Sequence, residues 1–152
     1  MASVIVLAGG YARRFQKKGE RWVDKLLVEF EGEPIIKRVL EAISPIAHEI
    51  IISTDNKRRG EKYKEFIKGA KVKIAVDRFD FNCDGPLRGI ATAINFTKRG
   101  KVIVIPGDMP FIRAETIMNL MERMGDYDIA TPIWNDGRIE SLVFGAKRNE
   151  IK

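Results

Sequence analysis

A chain of 152 residues has the length of one domain, and at that size folding buries roughly 70% of the unfolded surface, so the core needs no covalent staple. Lys and Arg number 27 against 21 Asp and Glu, a net charge of +6, with 45% hydrophobic and 32% charged residues, which excludes a disordered chain. A single cysteine (Cys83) and a single histidine (His48) exclude an intramolecular disulfide, a cysteine-based zinc cluster and a histidine-rich metal site.

The apolar runs stop far short of the roughly 18 residues of a membrane span. Met1 leads straight into a strand-like run, with neither a basic stretch nor a small-residue cleavage site, so a soluble, cytoplasmic protein is expected. The positive charge is uneven. Arg13, Arg14, Lys17, Lys18, Arg21 and Lys25 crowd one stretch, offset there only by Glu20 and Asp24. A basic loop of this kind can hold nucleic acid, a lipid surface or a small polyphosphate, and composition does not choose among them.

In chain order, residues 4–8 form a continuous apolar run that reads as a strand. Residues 26–33 read as a short edge hairpin turning at Glu31-Gly32. Ile36, Val39, Leu40 and Ile43 repeat at helical spacing after Pro34, a residue suited to a helix start. Residues 50–52 read as a second strand. Residues 57–68 read as a mostly solvated helix that buries Tyr63, Phe66 and Ile67. A third strand is expected at 72–76, a helix carrying Leu87, Ile90, Ala91 and Ile94, a fourth strand at 102–105, and a helix carrying Ile117, Leu120, Met121 and Met124. Further strands are expected at 128–132 and 141–146. Continuous Val/Ile runs indicate strands covered on both faces, as in parallel sheets. Strands alternating with helices then give a three-layer α/β domain, with a mainly parallel, Rossmann-like sheet and helices on both faces.

In such a sheet the ligand lies beyond the carboxyl ends of the strands. The residues just past each strand are therefore decisive. They are Gly9-Gly10 and the basic loop; Ser53, Thr54 and Asp55; Asp77; and Pro106-Gly107-Asp108. One edge thus collects glycines, cations and three carboxylates, an environment suited to a polyphosphate and a metal ion. Glycines directly after a strand let amide groups approach a phosphate, and Arg13 and Arg14 supply planar forks for its oxygens. A dinucleotide fingerprint fails, because no third glycine opens a helix, and the Gly-Lys-Ser/Thr of a Walker loop is absent. Lys25 could reach a phosphate as a point charge. Asp108, held between Gly107 and Met109-Pro110, is placed either to bind Mg²⁺ or to cap the following helix. Pro86 suits the first turn of a helix whose amides could face an anion, and Asp84 either caps that helix or touches ligand. Trp22 could stack on a base or cover its own loop. Cys83 lacks an evident general base, and His48 is expected at the start of a strand.

Leu-Ala-Gly-Gly-x-Ala-x-Arg at 7–14, Asp24-Lys25, Gly85-Pro86-Leu87-x-Gly89 and Gly107-Asp108-x-Pro110, in this order, resemble the nucleotidyltransferases of the nucleotide-diphospho-sugar transferase fold. Within them the pattern is most similar to the molybdenum cofactor guanylyltransferases, and the cytidylyltransferases acting on molybdopterin share most of it. The resemblance covers residues 4–143. It implies that Leu7, Ala8 and Gly9 line a nucleotide pocket, that Gly10 lies in a phosphate turn with Arg13 beside it, and that Lys25 holds the triphosphate. It implies base or nucleotide contacts at Ser53 and Asp77 and from Gly85, Pro86 and Leu87. Asp108 would be the Mg²⁺ ligand, with Arg14, Lys25 and Asp108 as the catalytic set. Three departures stand out. Gln16 follows Phe15 where the family carries glycine. The stretch from Arg14 to Lys25 is longer than usual. And the single domain over 1–152 stops before the family's C-terminal segment, which includes an Asn-Thr-Pro near the acceptor.

The implied reaction moves a nucleoside monophosphate, GMP favoured, from a triphosphate to a phosphorylated small-molecule acceptor such as molybdopterin, with Mg²⁺ as cofactor and pyrophosphate as leaving group. No nucleic acid or membrane partner is expected, and the sequence is silent on oligomeric state. The alternatives are a nucleotide-binding paralogue without turnover, or transfer to another acceptor such as cobinamide phosphate or a sugar phosphate. A nucleic-acid-binding use of the basic loop is a third.

Overall fold

The computed structural model describes every residue except Tyr11, Ala70, Phe81 and Lys152. Tyr11 of the glycine-rich motif therefore lies outside the described residues. The elements in chain order are strand β1 (Ala2–Leu7), the hairpin strands β2 (Glu29–Phe30) and β3 (Glu33–Pro34), helix α1 (Ile35–Ile43), β4 (Ala47–Thr54), α2 (Lys57–Lys64), β5 (Val72–Val76), α3 (Pro86–Ala93), β6 (Lys101–Pro106), α4 (Ala114–Arg123), β7 (Ile129–Ala130) and β8 (Phe144–Lys147).

The main sheet runs β5-β4-β1-β6-β8-β7. Its first four strands are parallel, and β8 and β7 extend it in antiparallel pairs. This is the mainly parallel, Rossmann-like sheet with helices on both faces that the sequence predicts. From β1 the chain moves outward through β4 to β5 and then returns to add β6 on the other side of β1. That reversal puts α3 on the opposite face from α1 and α2, as right-handed crossovers require. It also opens a crevice between the carboxyl ends of β1 and β6, the switch point where such sheets receive ligands.

Burial follows from the apolar runs. Val4, Val6, Ile50, Ile52, Ile103 and Ile105 face one layer with Ile36, Val39, Leu40 and Ile43 of α1, Tyr63 of α2, and Ile117, Leu120 and Met124. Ile5, Ile51, Val102 and Val104 face the other, against Ile90, Ala93 and Ile94. Alternate residues of each central strand thus serve two cores, which is why the middles of these strands, residues 4–7, 50–52 and 102–105, are apolar throughout.

The expected elements are present with local differences. The hairpin turns at Glu31-Gly32 with both residues at positive φ, 52° and 80°, the mirror-image turn that matches the twist of paired strands. The solvated helix stops at Lys64, and a turn follows in which Phe66 bonds to the Tyr63 carbonyl. The last strand begins at Phe144 rather than 141, because Val143 donates to the Glu140 carbonyl and closes a turn there. The 128–132 strand shortens to Ile129–Ala130, and the Thr131 hydroxyl instead donates to the carbonyls of Glu140 and Val143. His48 is the second residue of β4, as expected.

The sheet register sets up the site. Leu7 lies between Ser53 and Pro106 in adjacent strands. Three backbone bonds then carry the order past the strand ends: Ala8 N to Ser53 O at 2.7 Å, Gly107 N to Leu7 O at 2.8 Å and Asp77 N to Thr54 O at 2.8 Å. The candidate site residues emerge from this common line.

Candidate active site

At the carboxyl edge a cleft of about 1220 Å³ opens, lined by residues from the ends of all four parallel strands. Ligand pockets commonly span about 300–1,000 Å³, so this one has room for a nucleotide and a second small molecule together. The loop after β1 contributes Gly9, Gly10, Ala12, Arg13, Arg14 and Phe15. Ala12 has φ 46°, and its carbonyl accepts from Phe15 N at 2.8 Å, so the chain turns back tightly here. Both arginines are exposed on the rim.

The long basic loop returns to the cleft because Gln16 closes it. Its amide donates to Val23 O at 2.8 Å and accepts from Val23 N at 2.9 Å, bridging seven positions. Asp24 and Lys25 come next. Asp24 caps the short 3-10 turn at Lys25–Leu27 through its bond from Leu26 N. Lys25 then extends across the cleft, and its Nζ donates to Asp108 Oδ2 at 2.8 Å. These two residues lie 83 positions apart and come from opposite walls, one after β1 and one after β6. Asp108 does not cap α4. That helix begins at Ala114 with Arg113 as its cap residue.

Ser53 and Asp77 form the floor. Ser53 Oγ donates to Asp77 Oδ1 at 3.1 Å. Burial pushes the Asp77 carboxyl above its ordinary pKa, the Ser53 bond offsets part of this, and the charge of Asp55 adds to the rise. Gly89, in the first turns of α3, lies against this floor. A Cβ there would stand 2.6 Å from Ser53 Oγ and 3.4 Å from Leu7, so only glycine lets the helix sit this close. Gly85 is the cap residue of α3 and lines the cleft with Pro86; no side chain caps the helix start, and Arg88 N donates to the Gly85 carbonyl at 3.2 Å. Asp84 is not the cap either. It pairs with Arg88, whose guanidinium also lies 4.8 Å from the Phe79 ring centroid.

Of the sequence-derived residues, Leu7, Gly9, Gly10, Arg13, Arg14, Lys25, Ser53, Asp77, Gly85, Pro86 and Asp108 line one cleft. Two do not. The Ala8 side chain is buried in the core, because the alternation of β1 continues one residue past the strand. Leu87 is 64% exposed, on the outer side of the first turn of α3. The Arg59 guanidinium lies over the Trp22 ring, 5.0 Å from its centroid, so Trp22 packs on α2. Several lining residues carried no motif: Asp55, Arg59, Phe79, Arg88 and Leu142. Arg59 matters most, since its guanidinium contacts three separate segments of the wall, at Gly10, Asp24 and Asp55. Its only legible sign was i,i+4 spacing from Asp55 at the ligand-prone edge.

The sequence matches the family model of the MobA-like NTP transferase domain over residues 4–150. The chain belongs to this family. A relative named probable molybdenum cofactor guanylyltransferase, from Methanosarcina acetivorans, is 34% identical over 138 residues, covering 90% of this chain and 59% of its own length. A molybdenum cofactor guanylyltransferase from Shewanella halifaxensis is 33% identical over 139 residues, covering 91% of this chain and 64% of its own. The chain thus spans about three-fifths of the curated relatives it matches. Among solved structures, the molybdopterin-guanine dinucleotide biosynthesis protein A of Archaeoglobus fulgidus superposes with a TM-score of 0.69 over 98% of this chain and 69% of that one, at 24% identity. No helix among the described residues is long and apolar enough to cross a membrane.

Proposed function

We propose that the domain is a nucleotidyltransferase that moves GMP from GTP to a phosphorylated acceptor, with molybdopterin the favoured acceptor, in molybdenum cofactor biosynthesis. The observation that carries this reading is the Lys25–Asp108 pair spanning the switch point beside the glycine loop. The names of the curated relatives support the choice of GTP and of a molybdenum cofactor precursor.

The chemistry asks little of the protein beyond placement and charge. An acceptor phosphate oxygen attacks the α-phosphorus, the new P–O bond forms, and the bond to the bridging oxygen of the leaving pyrophosphate breaks. No protein nucleophile is required. In this reading Gly9 and Gly10 let the backbone approach the phosphates, Arg13 and Arg14 close over them from the rim, and Lys25 moves from Asp108 to the polyphosphate. Ser53, Asp77 and the start of α3 hold the nucleoside end, with Gly85 and Pro86 at its edge.

Mg²⁺ fits the residues present. Asp108 is a partly exposed carboxylate whose Oδ1 has no hydrogen-bond donor among the described residues, and Oδ2 is held only by a lysine ammonium. No group of three or more Asp, Glu, His or Cys among the described residues forms a closed metal cage. Mg²⁺ is typically held by one or two carboxylates plus substrate phosphates, so a single aspartate is a sufficient protein ligand. When bound there, Mg²⁺ supplies neutralisation of phosphate charge.

The test is pyrophosphate release by the purified protein with GTP, CTP, ATP or UTP, each with and without molybdopterin. Release with GTP that requires molybdopterin is the expected result. Nucleotide binding without release on molybdopterin, cobinamide phosphate or a sugar phosphate would overturn the transferase reading in favour of a binding module.

A further inference from the structure

The network behind the cleft wall centres on Arg59, a residue of α2 that belongs to no recognised motif. Its Nε donates to Asp24 Oδ2 at 3.1 Å and one terminal nitrogen to Asp24 Oδ1 at 3.3 Å. The other terminal nitrogen donates to Asp55 Oδ1 at 2.6 Å and to the Gly10 carbonyl at 3.1 Å. Trp22 lies over the guanidinium. Tyr63, one turn along the same helix and fully buried, donates from its hydroxyl to Asp24 Oδ2 at 2.6 Å. Burial and the bond to Asp24 push the Tyr63 hydroxyl above its ordinary pKa, so it remains a donor. Arg59 and Asp24 are 14% and 9% exposed at the side chain. A planar fork with five donors can serve three acceptors at fixed angles, which a lysine ammonium cannot do.

What these contacts tie together is specific. Gly10 belongs to the loop after β1, Asp55 to the loop after β4, and Asp24 immediately precedes Lys25. The glycine loop and the lysine are separated by a long exposed excursion; its Gln16–Val23 clamp closes the loop on itself but touches neither Gly10 nor Lys25, so it does not by itself fix their relative position. Arg59 does. We propose that Arg59 is the positioning residue of this active site, holding the Gly10 turn and the Asp24-Lys25 segment in the mutual register that lets Lys25 meet the phosphates. The aspartate of Asp24-Lys25 is then an anchor for the lysine and not a ligand to substrate. This inference rests on the nucleotidyltransferase reading for its consequence, though not for its geometry.

The experiment is a double-mutant cycle with a second, activity-independent readout. Arg59→Lys keeps the charge and removes the fork; Lys25→Ala removes the residue it positions. Arg59→Lys is expected to lower kcat/KM for the triphosphate by about tenfold or more in the wild-type background, and by less than about twofold in the Lys25→Ala background, the non-additivity of residues acting as a unit. Equal losses in both backgrounds would overturn the proposal. Tyr63→Phe, which deletes one donor to Asp24, is expected to give a smaller loss of the same kind. Hydrogen exchange is measured on the same proteins without ligand. Arg59→Lys should speed exchange in residues 12–27 while leaving β1 and β6 at wild-type rates. Unchanged exchange in 12–27 would contradict the anchoring role even if the wild-type protein released no pyrophosphate, which would itself count against the transferase reading alone.

Discussion

The two edges of the parallel sheet treat a carboxylate in opposite ways. At the amino edge Glu49, 2% exposed, accepts from Ser3 Oγ at 2.7 Å, from Lys98 N at 2.6 Å and from Lys73 Nζ at 2.6 Å. Burial pushes this carboxyl up, but the bonds from Lys73, Ser3 and Lys98 more than offset it, and the pKa lies below the ordinary value. At the carboxyl edge Asp77 has one side-chain donor among the described residues, Ser53, with Asp55 nearby, and its pKa is raised. The first acid is completed by protein groups and closes its edge. The second is left short of donors in a cleft, where a ligand can complete it. The same sheet therefore closes a carboxylate at one end and leaves one facing an open cleft at the other.

The largest effect should come from breaking the closed edge. Glu49→Ala strands the Ser3 hydroxyl and the Lys98 amide, and is expected to cost about 3 kcal/mol, near the low end for a broken buried pair because Lys73 can reach solvent. The thermal midpoint should fall by about 6–12 °C, while the KM for triphosphate stays at its wild-type value; calorimetry and steady-state kinetics check both. Asp108→Ala should do the reverse. Turnover is expected to fall by about 100-fold or more, while the midpoint moves by no more than about 2–4 °C, since the lost ion pair is exposed and worth at most about 1 kcal/mol.

Gly89→Ala forces the floor open at Ser53. A rise in KM of about tenfold is expected from the displaced contacts, with a stability loss of about 1–3 kcal/mol from overpacking. The smallest effect sharpens the comparison by its sign. Glu49, with its folded pKa depressed, contributes stability that is present above its unfolded pKa of about 4.3 and is lost as pH falls through the folded value. Asp77, with its folded pKa raised, imposes a cost that is present above that raised value and disappears below the unfolded pKa of about 3.9. Asp77→Asn is therefore expected to raise the midpoint at pH 7, an advantage that shrinks as pH falls toward 4. Denaturant melts across this range would show it, and an advantage that grew on acidification would contradict the assignment.

Much of the fold and the site is legible in the residues. Continuous Val/Ile runs mark the parallel strands, because only burial on both faces tolerates them. The residues just beyond each strand end then gather Gly9, Ser53, Asp77 and Asp108 at one edge, since topology carries every strand end there. Ala8 looks like a pocket residue from its place in the motif, but that place says nothing of strand alternation, which turns its side chain into the core. Arg59 is barely legible for a different reason, its spacing from Asp55 being the one sign. A helix reading Lys-Arg-Arg-Gly-Glu-Lys looks solvated throughout, and its buried arginine is distinguished only by acceptors that arrive from residues 10, 24 and 55. Nor does the sequence show how the long basic loop returns. The two bonds of Gln16 to Val23 settle it, and they use the residue that stands where the family pattern has glycine.

The central claim is that the open edge is a triphosphate site completed by Asp108. Thermal unfolding with Mg²⁺ and each of GTP, CTP, ATP and UTP, on wild type and Asp108→Ala, tests it directly. A ligand at 100 times its dissociation constant adds about 2.7 kcal/mol, or about 5–11 °C for a domain of this size. The account predicts that shift with GTP and its loss in Asp108→Ala. No shift with any triphosphate, or an equal shift in the variant, would contradict it.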